Sequence, residues 1–346
     1  MSLAKSYEKR AKKRLLTTAF LLSAMVALFW LALISGSGKI IFSDTFRILN
    51  ISTCNDNFAM IIEAIRAPRA FGAILVGMLL GLSGVTMQGV LKNPLASPFT
   101  LGISQAAGFG ASLAIVVFEP NAISNPFMSK FVIAFLAFST SILCMFVIVW
   151  IGRKVAMIPS TLILSGVALG SLFHAGTMFL QYFTTEINAS ATLFWTFGDL
   201  SKATYENLWL LLLVLVVSMV VLWSSHWKFD ALGFGDESAF NKGVNVKNFR
   251  SFALIFSALC TAIAVAFFGI IGFIGLVAPH LVRLFLGNSH VALIPLSALS
   301  GGVLLLGADL LSRMLFYPSV LPVGILTSFI GAPMLLYLLA SKGKIR

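Results

Sequence analysis

Charged residues occur in short clusters along this chain, and long stretches without Asp, Glu, Lys or Arg separate the clusters. An α-helix rises about 1.5 Å per residue, so roughly 20 apolar residues cross a hydrocarbon core of about 30 Å. Every stretch reaches that length, which predicts an all-α integral membrane protein. If the lone Arg283 is disregarded, the stretches are 15–38, 70–91, 93–118, 131–152, 155–185, 207–227, 251–308 and 314–341.

The composition excludes an ordinary soluble domain. Hydrophobic residues make up 59% of the chain and charged residues 10%, whereas soluble domains carry about 25% charged residues. The net charge of +12 is a feature shared with nucleic-acid-binding proteins. Here, however, the cations lie in short segments between apolar runs. We therefore expect contact with membrane lipid and no nucleic-acid partner.

The distribution of Lys and Arg predicts how the chain is oriented. Cations cluster in segment 5–14 and again in segment 342–346. The positive-inside rule places both termini in the cytoplasm, which requires an even number of spans. The stretch 251–308 is too long for one helix, and three helices within it bring the total to ten. That arrangement places 17 of the 24 Lys and Arg residues on the inner side.

The whole chain, 1–346, is predicted to form a single transmembrane domain. An inner segment, 226–250, lies between helices 6 and 7, and an outer segment, 186–206, is predicted to hold a short amphipathic helix. The first apolar run exceeds the roughly 7–15 residues of a signal peptide, so we expect a retained helix. The ten predicted helices are 15–35, 64–91, 96–118, 130–151, 160–183, 207–225, 251–268, 272–286, 291–312 and 321–340.

The sequence contains no pattern that indicates catalysis or a bound cofactor. Cys54, Cys144 and Cys260 are odd in number and isolated, so we expect buried thiols rather than a disulfide or a metal site. The nucleotide-binding pattern GxxxxGK[ST] is absent, as are HExxH and GxSxG. We therefore expect a chain that is not an enzyme and obtains energy from a separate ATPase.

Three separated motifs give the chain a specific resemblance. Arg66-Ala-Pro-Arg69 opens a glycine-rich run that closes on Lys92-Asn-Pro-Leu-Ala96; Gly272-Phe-Ile-Gly-Leu-Val-Ala-Pro-His280 and Leu321-Pro-Val-Gly-Ile325 follow in that order. Over roughly residues 60–340 the chain resembles the FecCD-like permease subunits of type II ABC importers, which take up iron-siderophores, haem and cobalamin. The resemblance implies the type II permease fold, with segment 226–250 as a cytoplasmic coupling segment inserted between helices 6 and 7.

Three arginines match positions that dock the substrate-binding protein in the resembled family. Arg66 and Arg69 are three residues apart and thus share one face of a helix, and Arg313 lies at the outer end of helix 9. The resemblance implies that they receive carboxylates of the binding protein, for which a planar guanidinium is well suited. The alternative is snorkelling to lipid phosphates, or pairing with Glu63 or Asp309.

The segment 231–244 is similar to the short coupling helices that contact the ATPase in the family. Acidic residues at its start and Gly243 at its end predict a short helix from about Asp236 to Lys242. Lys242 stands where most members have Leu, which alters the contact chemistry, and a plain surface loop is the alternative. The coupling residues implied by the resemblance are Gly235, Asp236, Glu237, Ser238, Ala239, Phe240 and Gly243.

The start of helix 5 is similar to the part of the family fold that lines the translocation path. The resemblance implies a cytoplasmic gate of small hydroxylated residues, which Ser160 and Thr161 match. Capping of the helix start is an equal alternative for those two. Gly166 and Gly170 follow on the same helix, either lining the path or allowing helices to pack closely.

The resemblance also implies the partners and the cargo. We expect a second permease copy (a homodimer), two ATP-binding subunits that use ATP and Mg, and an extracytoplasmic substrate-binding protein, in the plasma membrane of a prokaryote. The cargo is predicted to be a metal chelate, most often a ferric siderophore, with haem, cobalamin or an oxyanion as alternatives. A secondary transporter is the rival class, but it requires intramembrane acidic residues, which are nearly absent here.

Overall fold

The computed structural model describes residues 3–35, 60–118, 126–315 and 319–342, and all regular structure within them is helical. Cys54, most of the segment before Glu63, Lys344 and Arg346 lie outside these residues. The thirteen α-helices are α1 Leu3–Ile34, α2 Ala67–Leu91, α3 Ile103–Val117, α4 Pro126–Lys154, α5 Pro159–Tyr182, α6 Glu186–Thr196, α7 Tyr205–Ser224, α8 His226–Gly233, α9 Asp236–Asn241, α10 Val246–Phe268, α11 Ile274–Leu286, α12 His290–Met314 and α13 Val323–Lys342.

The predicted bundle of about ten transmembrane helices is confirmed. Seven described helices are long and apolar enough to cross a membrane, namely α1, α2, α4, α5, α7, α10 and α12. Three shorter apolar helices, α3, α11 and α13, complete the set. At about 1.5 Å per residue, the 15 residues of α3 and the 13 of α11 are too short for a core of about 30 Å.

Non-helical backbone precedes two of these short helices inside the bundle. The predicted start of helix 3 at residue 96 is wrong, because α3 begins seven residues later, at Ile103. Pro94 and Pro98 have no N–H to give to a helix, and a turn between Ser97 and Thr100 replaces the first helical turns. In α11, Gly275 contacts the backbone of Gly84 in α2, which lets this helix begin deep in the bundle.

The centre of the bundle is the pair α2 and α12. A Cβ added to Gly77 would overlap the carbonyl of Gly301, and one added to Gly81 would overlap the carbonyl of Ser297. Small residues therefore bring the two backbones into contact, as is typical where packing rather than hydrophobicity drives helix association in lipid. Most of α2 and α12 is buried, whereas most of α5 and α7 is not. The peripheral helices thus leave large apolar faces for lipid or for another subunit.

Short helices occupy the predicted inner and outer segments. The outer segment holds the short helix α6 and a 3-10 turn at Leu200–Lys202. The inner segment holds α8 and α9, and α9 matches the helix predicted from Asp236 to Lys242 within one residue. Gly243 ends it with a positive φ of 81°, a conformation that favours glycine.

Candidate functional site

A cavity of about 1120 Å³ opens between α3, α5 and α13. The segments that close it are the end of α6 and the non-helical stretch before α11. None of the described residues that line it carries a formal charge, and His174 is the one titratable side chain among them. Its lining combines small, apolar and neutral polar residues, including Gln105, Gly166, Gly170, His174, Thr177 and Ser328.

This lining suits a large solute better than a bare metal ion. A bare metal ion would require several carboxylate, imidazole or thiolate ligands in one place. Within the described residues, no three His, Cys, Asp or Glu side chains are grouped closely enough to hold one. A cavity of this size and character can admit a bulky molecule without binding it through charge.

The predicted path residues Gly166 and Gly170 lie on the cavity wall and also permit close packing. A Cβ on Gly166 would lie 2.7 Å from the Leu101 Cα, and one on Gly170 would lie 3.1 Å from the Gly102 Cα. Gly102 itself has a φ of 76°. The start of α3 therefore rests directly on the backbone of α5, so the two interpretations of these glycines are compatible.

Ser160 and Thr161 lie in the first turn of α5, outside the described cavity lining. Ser160 is exposed and Thr161 is half-buried. The alternative that they cap the helix is wrong, because the N-cap is Ile158 and it makes no side-chain capping bond. Their role in a gate stays a prediction.

We call the end of the bundle that holds Arg66, Arg69 and Arg313 the arginine rim. All three side chains are directed into the subunit. Arg66 is buried and its Nη1 donates to the carbonyls of Leu33 and Ile34, at 2.8 and 3.1 Å. These carbonyls belong to the last turn of α1, where no intrahelical N–H is left to bind them. Arg66 therefore ties the end of α1 to α2.

Arg69 and Arg313 share the carboxylate of Asp309. The Arg69 Nε lies 2.9 Å from Asp309 Oδ1 and the Arg313 Nε lies 3.2 Å from Oδ2, and the aspartate is fully buried. The contact with Oδ2 is an ion pair without hydrogen-bond geometry. Arg313 Nη1 also donates to the carbonyls of Ala32 and Ser35. The pairing alternative thus accounts for these positions in the isolated subunit, and docking stays a prediction.

We call the opposite end, which holds Lys92, Asp236 and Arg250, the lysine rim. Asp236 is the first residue of α9, and Lys92 and Arg250 both form ion pairs with it. Burial disfavours the charged carboxylate, but the hydrogen bonds from Arg250 and Lys92 outweigh burial and lower the pKa of Asp236. Asp236 is therefore ionised and turned toward its own subunit.

Arg250 was not among the residues predicted from the sequence. It is fully buried, and its guanidinium reaches α9, the end of α2 and the loop before α5. Nearby, the ring of His290 at the start of α12 lies 2.7 Å from Asp230 of α8. Burial again disfavours ionisation, but the bonds from His290 outweigh it and lower the pKa of Asp230.

The other predicted coupling residues present an apolar surface at this rim. Phe240 is 71% exposed, and Phe234, just before the predicted set, is 75% exposed. Lys242 Nζ lies 4.7 Å from the centre of the Phe234 ring. Ala239 is buried, Gly235 and Gly243 have positive φ, and Glu237 and Ser238 lie in the first turn of α9.

The helix order, the central α2–α12 pair and the cavity beside α5 define a class of protein, the permease of a type II ABC importer. A solved structure described as an inward-facing ABC transporter, provisionally assigned to the metal-chelate type, matches this chain with a TM-score of 0.79 at 28% identity. The match covers 93% of this chain and 97% of that one. The predicted fold class is confirmed.

The chain belongs to the FecCD transport family, whose profile matches residues 24–341. A protein of Methanocaldococcus jannaschii that has the provisional name ABC transporter permease protein is 40% identical to this chain, over 98% of both chains. An Fe(3+)-citrate import system permease of Bacillus subtilis is 38% identical, over 95% of this chain and 96% of that one. Other relatives are named as hemin and cobalamin permeases.

Family membership confirms the resemblance of the three motifs and has direct consequences. The chain is a multi-span protein of the cell membrane and a permease of an ABC importer. Members of this family are permease subunits, which do not themselves hydrolyse ATP. Membership also implies an ATPase, a substrate-binding partner and a pair of permeases.

Proposed function

We propose that this chain is the transmembrane subunit of an ATP-driven importer that carries a metal chelate into the cytoplasm by alternating access. The observation that carries the proposal is the large cavity beside α5, whose described lining is uncharged. A chelate already wraps its metal, so the path needs room and weak contacts rather than ligands. Alternation between two openings would then arise from a bistable bundle whose populations ATP shifts.

The proposed assembly contains two copies of this chain, two ATPases and one external binding protein. Apolar side chains of α5 and α13 that line the cavity, such as Val167 and Phe329, are also exposed at the surface of the subunit. A second copy placed against this face would close the two cavities into one central path. We infer no cofactor for this chain, with ATP and Mg used by the ATPases, and both termini in the cytoplasm of a prokaryotic cell.

The segment 226–250 is proposed to contact the ATPase. Phe234 and Phe240 expose their rings at the lysine rim, and the cation Lys242 lies over the Phe234 ring. Exposed aromatic rings beside charged residues are typical anchors of a protein interface. The three arginines of the opposite rim are proposed to contact the binding protein when it docks.

Ferric siderophores are the proposed cargo, and the iron-citrate relative supports iron in chelated form. Haem, cobalamin and oxyanions are the alternatives, since specificity in such systems depends mainly on the binding protein. The test is uptake by a strain from which this gene has been deleted. We expect loss of growth on ferric siderophores under iron limitation; continued growth on all of them with loss of haem or cobalamin use would contradict the assignment.

Reconstitution separates the proposal from a secondary transporter. The purified chain is placed in vesicles with its ATPase and binding protein, and uptake of a radio-labelled ferric chelate is measured with ATP supplied at the ATPase side. We expect uptake to require ATP and to vanish with an ATPase that binds but does not hydrolyse ATP. Uptake that continues with this ATPase and stops on addition of a protonophore would instead indicate ion coupling.

A further inference from the structure

Arg250 of α10 is the most completely enclosed charged side chain at the lysine rim. Its side chain is 0% exposed, yet it ends at a carboxylate that is 46% exposed. Burial of a guanidinium is costly unless its N–H groups are satisfied and its charge is paired. Both conditions are met by partners from three different segments of the chain.

The three partners lie at the ends of elements that are expected to move relative to one another. Arg250 Nε donates to the carbonyl of Val90 at the end of α2, at 2.8 Å, and Nη1 donates to the carbonyl of Met157, at 2.9 Å. Nη1 and Nη2 donate to the Asp236 carboxylate at 3.1 to 3.3 Å. One rigid, planar group therefore joins α2, the loop before α5 and α9.

The loop before α5 is held in an unfavourable backbone conformation. Ala156 and Met157 have φ values of 54° and 57°, in the left-handed region. This region is unfavourable for a residue with a Cβ, so it persists only where the surroundings impose it. Met157 is fully buried, and its N–H donates to the carbonyl of Gly152 while its own carbonyl accepts from Arg250. The Arg250 bond is thus one of the contacts that hold this loop.

We propose that Asp236 and Arg250 are positioning residues that transmit displacement of α9 to the start of α5. The proposal rests on the proposed function, in which segment 226–250 contacts the ATPase. When the ATPase draws α9 away, the Asp236 carboxylate separates from the Arg250 guanidinium. The guanidinium then changes position while it stays bonded to the carbonyls of Val90 and Met157. The strained turn at Met157 then relaxes, and the first turn of α5, with Ser160 and Thr161, moves.

The geometry gives this contact the properties of a releasable link. α9 has six residues, of which Ala239 alone is buried, and Asp236 is its one described side chain in an ion pair. The pair breaks at lower cost than a fully buried one, because water takes the place of the guanidinium at the half-exposed Asp236 carboxylate. Arg250 keeps two backbone acceptors when it loses the carboxylate, so it is not left without partners.

The first experiment measures coupling in the complete complex reconstituted in vesicles. For each variant we measure uptake of a labelled ferric chelate per ATP hydrolysed, together with co-purification of the ATPase. D236N removes the charge but keeps the shape, and it should lower the coupling ratio by about tenfold, the scale of a lost charge-assisted hydrogen bond. The control E206Q removes an exposed carboxylate in the first turn of α7, outside the segment 226–250. It should keep the wild-type ratio.

The second experiment follows the start of α5 directly. A spin label is attached at Ile158→Cys, an exposed position, in a Cys54→Ser background; Cys144 and Cys260 are buried. The distance between the two copies is measured without nucleotide and with ATP trapped. The wild-type distance should change with ATP, and the change should be absent in D236N and unaltered in E206Q.

R250K keeps the proposal testable if D236N does not assemble. Lysine retains the charge but cannot donate to Val90, Met157 and Asp236 in one plane, so the coupling ratio should fall at least about threefold, with assembly intact. A wild-type ratio and distance change in D236N, or in R250K when D236N fails to assemble, would overturn the proposal. Failure of the unmutated complex to show ATP-dependent uptake would instead reject the proposed function.

Discussion

Each end of the bundle holds an aspartate between two cations, and the two arrangements differ in burial and in the elements they join. At the arginine rim, Asp309 is fully buried between Arg69 and Arg313, and the contacts join α2 and α12, two of the longest helices. At the lysine rim, the Asp236 side chain is 46% exposed, and its contact with the buried Arg250 joins a six-residue helix to the bundle.

The difference indicates which end is fixed and which end is able to move. A desolvated ion pair is expensive to break, because each separated charge would stay in a medium of low dielectric constant. The pair of the lysine rim is less costly to separate, because the half-exposed Asp236 carboxylate can bind water in place of Arg250. We therefore expect the arginine rim to hold the helices together through the transport cycle. The lysine rim is the end at which a short helix can be displaced.

The largest effect in this comparison should follow loss of the buried carboxylate at the arginine rim. D309N leaves Arg69 and Arg313 buried without a counter-charge, which should lower the free energy of unfolding by about 3 kcal/mol. Unfolding of the purified chain in detergent, followed by circular dichroism, measures this. The control E206Q removes an exposed carboxylate and should stay within about 0.5 kcal/mol of wild type. An equally small loss in D309N would show that the arginine rim is not a fixed end.

The helices of this bundle could be predicted from the sequence to a large extent. Charge-free runs and the need to satisfy every backbone group in lipid leave little choice besides helices. The rule of one full-length helix per run failed at α3, where a turn around Pro98 occupies the first part of the run. The rule assumes that every span is exposed to lipid along its length. Helices that begin inside the protein are exempt from it.

The rim contacts were less predictable because they are long-range. The hydrogen-bond partners of Arg250 are separated from it by 160, 93 and 14 positions in the sequence, so no local spacing reveals them. The pairing of Arg69 and Arg313 with Asp309 was foreseen only as an alternative to docking. The sequence around an arginine at the end of an apolar run is the same whether the side chain binds another subunit or its own helices, so the sequence does not distinguish the two roles.

Docking of the binding protein provides a second test of the arginine rim. Arg66 bonds to carbonyls of α1 and not to Asp309, so R66E changes the charge of this face without opposing the buried aspartate. It should weaken binding of the purified binding protein about tenfold, as is typical for lost charge complementarity. The loss should grow at low salt, because ions screen the attraction between the two proteins over about 8 Å at physiological ionic strength.

The matched control for docking is K130E, which reverses an exposed charge near the start of α4. Binding is measured by titration of the binding protein onto the permease in lipid nanodiscs. K130E should leave the affinity near that of wild type. If R66E also leaves it unchanged, the arginines serve only the internal contacts seen in the isolated subunit.

The lysine rim should show the opposite balance between stability and transport. Asp236 is half-exposed, and D236N leaves Arg250 its two carbonyl acceptors. We expect the free energy of unfolding to fall by about 1–2 kcal/mol, less than in D309N, because the lost carboxylate is half-exposed and one buried cation rather than two loses its counter-charge. The same detergent unfolding assay that is used for D309N measures it. A loss as large as that of D309N would place Asp236 in the fixed framework and remove the contrast between the two rims.

The smallest expected effect concerns the second carboxylate of the lysine rim and depends on pH. The bonds from His290 overcome the effect of burial and lower the pKa of Asp230 in the folded protein. A depressed carboxylate pKa contributes stability that is present above the unfolded pKa, about 3.9, and is lost as pH falls through the folded pKa.

Because Asp230 is 34% exposed, the contribution should be at most about 1 kcal/mol. The difference in unfolding free energy between wild type and D230N should therefore shrink below about pH 4. A difference that persists undiminished at lower pH would show that α8 is held to α12 by the packing of Phe229 on the His290 ring rather than by the charge of Asp230.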